Sequence, residues 1–118
     1  MQMFREVVAV YVHRDPVDFR QSINGLSMIV EAQMGLSPLS GALFMFCNKK
    51  RDKLKLLYWD KSGFALWYKR LEQEKFNWPR RLSESVITLT EEQLHWLLSG
   101  YDITRMQPHA ALQYQTLL

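Results

Sequence analysis

The residues best able to do chemistry in this chain lie between Lys49 and Arg81. Eleven cations occupy that stretch (Lys49, Lys50, Arg51, Lys53, Lys55, Lys61, Lys69, Arg70, Lys75, Arg80 and Arg81), against four acids, Asp52, Asp60, Glu72 and Glu74. The local formal charge is +7 in a chain whose total is +3, so the rest of the protein sums to −4. Tyr58, Trp59, Phe64, Trp67, Tyr68, Phe76 and Trp78 are threaded through the same stretch. Cations neutralise phosphates, and rings stack on bases, so this mixture suits a nucleic acid. A twisted hairpin with an aromatic core and a solvated charged face has the same composition.

Other chemistries find less support. His13, His95 and His109 fall in different predicted elements with no second ligand at a metal-binding interval, and Cys47 is the only cysteine. A zinc site needs three or four such ligands, so neither a metal nor another cofactor is expected. Asp15 and Asp18 read as helix-capping residues and Asp60 as a turn residue. No Gly-rich phosphate loop, serine elbow or Cys/His dyad is present. The chain reads as a non-enzyme with no catalytic residues, although a small basic ribonuclease needs only Lys, Arg, Tyr and His.

The elements that would position the basic stretch follow from local signals. Val7–Val12 is a β-branched run that reads as a strand. Asp15 and Pro16 predict a helix start, and Phe19, Ile23, Leu26, Val30 and Met34 recur on one helical face that Gly35 would end. Three strand-like runs follow, 43–48, 54–59 and 64–71. They are joined by the polar Lys49–Asp52 segment and by Asp60–Gly63, with Gly63 as the expected residue of positive φ. Residues 86–89 suit a short strand, and Thr90 to Gln93 has the form of a capping box opening a helix with Leu94, Leu97 and Leu98 inward. The expected fold is α+β: an antiparallel β-meander sheet, one long helix after the first strand and a shorter C-terminal helix. Residues 1–105 form a single domain in this reading, and 106–118 form a tail, either a frayed helix or a flexible arm.

At 118 residues, 47% hydrophobic and 23% charged, the chain has the composition of one soluble domain. No apolar run approaches the roughly 18 residues needed to span a bilayer, and no signal peptide opens the sequence. A cytoplasmic location is the default expectation, without membrane partners.

Three segments resemble a known family. The run Ser40 to Pro79, SGALFMFCNKKRDKLKLLYWDKSGFALWYKRLEQEKFNWP, is similar to the accessory protein (TnpB, the second open reading frame) of insertion sequences of the IS66 type. Pro16 to Val30 resembles that family's P-x-D-x-R-x-x-x-x-G-L segment, and Leu89 to Asp102 its closing L-x-x-L-L-x-G-x-D helix. The chain departs at Gln21-Ser22 and at Glu74, where members more often carry Lys-Gly and Gly. The resemblance implies a bacterial protein encoded beside a separate DDE-type transposase, needed for transposition and without known catalysis. It is distinct from the RNA-guided nucleases that share the short name.

The reading favoured here is a non-catalytic transposition accessory protein that binds DNA, at the element ends, and is nucleoid-associated if it does. Lys49, Lys50, Arg51 and Lys53 would contact phosphates at a protruding hairpin tip. Lys55, Lys69, Arg70, Arg80 and Arg81 would extend that surface, with Trp59, Trp67 and Trp78 as stacking groups. The alternative is a protein–protein adaptor for the transposase or another element-encoded protein.

Overall fold

The computed structural model describes residues 9–80 and 82–103. Five strands and two helices occur in the order β1 (Val10–His13), α1 (Ile23–Ala32), β2 (Leu43–Cys47), β3 (Lys53–Trp59), β4 (Phe64–Arg70), β5 (Val86–Leu89) and α2 (Glu91–Leu98). The strands form one sheet with spatial order β4-β3-β2-β1-β5. The tail expected at 106–118 lies outside the described residues.

The α+β class holds, but the sheet is mixed and not an antiparallel meander. Its β2-β3-β4 portion is antiparallel, as the short polar loops require. β1 instead pairs in parallel with β2, Val10 opposite Leu43 and Val12 opposite Met45, and antiparallel with β5. The chain between β1 and β2 carries a helix and is long enough for a crossover, and that connection lets two neighbouring strands run the same way.

The first helix is shorter than expected. It begins at Ile23, with extended Ser22 as its N-cap, and not at Asp15-Pro16. Tertiary hydrogen bonds hold the preceding segment open. Val17 N donates to Cys47 O (2.9 Å), and Lys55 Nζ donates to the carbonyls of Phe19 (3.0 Å) and Gln21 (2.8 Å). Backbone groups that an extra helical turn would satisfy are thus satisfied by the sheet. The helix stops where its glycine predicts, since Gly35 takes a φ of +66°. α1 starts beside Lys55 of β3 and ends beside β1, where Gln33 Oε1 lies 3.0 Å from His13 Nε2, so it crosses the strands.

Each face of the sheet carries a core. Leu26, Ile29, Val30 and Met34 pack on Phe44, Phe46 and Leu57. On the other face Leu94, Leu97 and Leu98 of α2, with Phe76 and Trp78 of the β4–β5 connection, cover Val12, Met45, Leu54 and Leu56. Central β2 is buried at all five positions, as a strand covered on both faces must be. The capping box is formed: Thr90 Oγ1 accepts from Gln93 N (3.1 Å) and Gln93 Oε1 from Thr90 N (2.9 Å).

Candidate nucleic-acid interface

The turn between β2 and β3 is built by one side chain. Asn48 Oδ1 accepts from the amides of Asp52 (3.1 Å) and Lys53 (3.0 Å), while its Nδ2 donates to Asp52 Oδ1 (2.7 Å). Arg51 N returns to Asn48 O (3.1 Å), and Arg51 takes the left-handed conformation, φ +62°. This closure leaves Lys49 and Lys50 exposed and Arg51 and Lys53 half-buried. The Asn48 amide holds the Asp52 carboxyl below the usual carboxylate range, with Lys53 and Lys50 adding to the effect.

The turn is buttressed and does not protrude as a free tip. Leu71 N donates to Asp52 O (2.8 Å) and Phe76 N to Arg51 O (2.7 Å), so the connection after β4 runs back along it. That path sets Lys75 beside the turn.

Strand direction gathers further cations at this end of the sheet. β1 runs with β2, so its C-terminal end and Arg14 lie there, and β4 ends there with Arg70 opposite Lys53. The Trp78 indole donates to the carbonyls of His13 (3.3 Å) and Arg14 (3.1 Å), which brings Arg80 to the same end. Two of these cations have partners. Arg14 binds the carbonyls of Leu82 and Ser83 and pairs with Asp15, and Arg70 pairs with Glu72 (2.8 Å). Among the described residues no side-chain hydrogen bond or ion pair holds Lys49, Lys50, Lys75 or Arg80. Arg14 and Lys75 were not singled out in the sequence. Lys75 lies in the same basic run, whereas nothing local marks Arg14.

Other expected contact residues are engaged within the fold or lie at the far end of the hairpin. Lys55 Nζ sits over the Phe19 ring, 4.9 Å from its centroid, besides its two carbonyl bonds, and burial lowers its pKa. Lys69 Nζ donates to Leu98 O (3.2 Å) and so caps the end of α2. Trp78 is buried. Trp67 is half-buried against the α2-side core, and Trp59 packs edge-on to Phe64 at the opposite end of the β3–β4 hairpin. Arg81 lies outside the described residues.

The groups that could react are placed structurally. His13 is buried, its Nδ1 donating to Asp15 O (2.7 Å), and burial raises the Cys47 thiol to about 12, far from a reactive thiolate. Among the described residues no three His, Cys, Asp or Glu side chains group closely enough to hold a metal ion, and no helix is long and apolar enough to cross a membrane.

The model of the family described as "IS66 Orf2 like protein" matches residues 8–108. Two uncharacterized proteins of Sinorhizobium fredii (strain NBRC 101917 / NGR234) are similar along most of their length. The protein y4jC is 36% identical over 98 residues, 83% of each chain. The protein y4hO is 34% identical over 95 residues, 80% of this chain and 82% of its own. No solved structure matches.

Proposed function

The chain belongs to the IS66 Orf2-like family of insertion-sequence accessory proteins, and from that premise we propose that it serves transposition by holding element DNA. The work falls to the basic end of the sheet, and the protein carries out no strand chemistry of its own. One observation carries this reading. Cations from the β2–β3 turn and the β4–β5 connection, distant in sequence, meet at one end, where, among the described residues, no side-chain hydrogen bond or ion pair holds Lys49, Lys50, Lys75 or Arg80. Unpaired cations close together raise the local concentration of phosphate and release its counterions on contact.

The test is fluorescence anisotropy on labelled element-end and scrambled duplexes across a salt series. Lys49→Ala/Lys50→Ala is expected to weaken both and to reduce the salt slope by about two, roughly one per lost phosphate contact. An unchanged affinity and slope would remove the proposal.

A second reading rests on a different feature. Among the described residues β4 is a seven-residue edge strand paired on one side only, with Tyr68 exposed on it. Such an edge can accept a strand from the transposase or another element-encoded protein. Transposition lost by a variant with DNA binding intact would favour this adaptor role.

A further inference from the structure

The sequence interleaves cations with aromatics, but the fold separates them. Phe76 and Trp78 are buried, and the Trp78 indole N–H is used on two backbone carbonyls. Tyr58 and Trp67 pack against the α2-side core, and Trp59 meets Phe64 (5.1 Å between centroids) at the end of the hairpin remote from Lys49 and Lys50. Tyr68, 49% exposed on the edge strand, is the one large aromatic of this stretch with a substantially open ring. Binding of unpaired bases needs several open rings beside the cations, because successive bases stack on successive platforms. The basic stretch offers one such ring, and among the described residues the only other exposed aromatic is Tyr101, beyond α2.

The cations are also spread in a way that suits two phosphate rows. They run from the end of β4, past the β2–β3 turn, to the end of β1. Four adjacent strands span about 14 Å at the usual interstrand spacing, comparable with the roughly 12 Å major groove of B-DNA. A surface of that width meets phosphates on both sides of a groove, whereas a single strand offers one flexible row.

From this separation we infer that the basic end grips the phosphate backbone of double-stranded DNA and does not stack on unpaired bases. The inference rests on the DNA-holding function proposed above and specifies the form of DNA held. Contacts of this kind position a protein on a duplex and carry no direct base readout.

The experiment compares one labelled 30-base-pair duplex with its separate strands, by anisotropy between 50 and 200 mM salt, while tryptophan emission is recorded. Expected are duplex binding at least tenfold tighter than single-strand binding, a log–log salt slope of about −3 to −5, and tryptophan emission unquenched by either DNA. Tyr68→Ala is expected to leave both affinities within twofold, and Lys49→Ala/Lys50→Ala to weaken duplex binding by tenfold or more. Single-strand binding as tight as duplex binding, quenching by single strands, or a collapse of single-strand affinity in Tyr68→Ala would overturn the inference and leave DNA holding intact. Binding to neither form would overturn DNA holding itself.

Discussion

The β2–β3 and β3–β4 turns are similar locally and unlike in the whole molecule. Each is short and polar, carries lysine, and contains one non-glycine residue in the left-handed region, Arg51 (φ +62°) in the first and Lys61 (φ +60°) in the second. The first is closed by Asn48, backed by Leu71 and Phe76, and surrounded by cations from other segments. The second is held by Asp60 N to Gly63 O (2.9 Å), with the Trp59–Phe64 pair beneath it. A lysine in a turn is common. What makes the first turn a candidate site is the strand order, which delivers the ends of β1 and β4 to its side.

The largest expected effect tests that difference in construction. Asn48→Ala removes three hydrogen bonds from a half-buried turn and is expected to cost about 2–3 kcal/mol. Asp60→Ala, at a residue whose turn hydrogen bonds are made by its backbone, should cost less than about 1 kcal/mol. Urea denaturation of the two variants compares them directly, and equal losses would erase the distinction.

Binding gives the next contrast. Lys61→Ala should leave duplex affinity within twofold, against the tenfold or greater loss expected of Lys49→Ala/Lys50→Ala in the same anisotropy series. Similar losses from both turns would mean that charge count governs binding and that position does not.

A smaller effect makes the turns alike. Glycine at either left-handed position relieves steric strain at some entropic expense to the folded state, so Arg51→Gly and Lys61→Gly should each gain up to about 1 kcal/mol in thermal melts. Only Arg51→Gly should also alter the salt slope.

The smallest concerns acid. The Asp52 carboxyl titrates below its ordinary value of 3.8 in the folded protein, chiefly because of the Asn48 amide. Asp18 is lowered to about 2 by Arg20. A depressed folded pKa gives stability that is present above about pH 4 and lost as pH falls through the folded values. Urea midpoints of wild type should therefore decline between about pH 4 and pH 2, and Asp52→Asn and Asp18→Asn should each flatten that decline.

Much of this was legible because the signals are local. The two hairpins, the capping box of α2 and the glycine stop of α1 depend on residues within a few positions of each other, and each formed. The parallel pairing of β1 was not legible, because β-branched residues favour a strand without specifying its neighbour or direction. α1 starts later than its local signal because the helix-opening Asp15-Pro16 is overridden by distant groups, Lys55 Nζ and Cys47 O. Gly63 is not the left-handed residue of its turn. Lys61 takes that role, with a φ of +60°. For the candidate site, the cationic run was visible but its sorting was not. Lys55 and Lys69 are indistinguishable from Lys49 by type, and only the fold assigns them to carbonyls.

The register of β5 against β1 has a consequence for synthesis. Val10 faces Leu89 and His13 faces Val86, so β1 takes as its antiparallel neighbour the last of the five strands to be made, β5. At 5–20 residues per second, about 80 residues of further translation hold that edge of β1 unpaired for roughly 4–16 s. The β2-β3-β4 hairpins have no such wait, since each strand meets its partner within a short loop. A product truncated before Val86 would therefore present a nearly finished sheet with one apolar edge strand open to other chains.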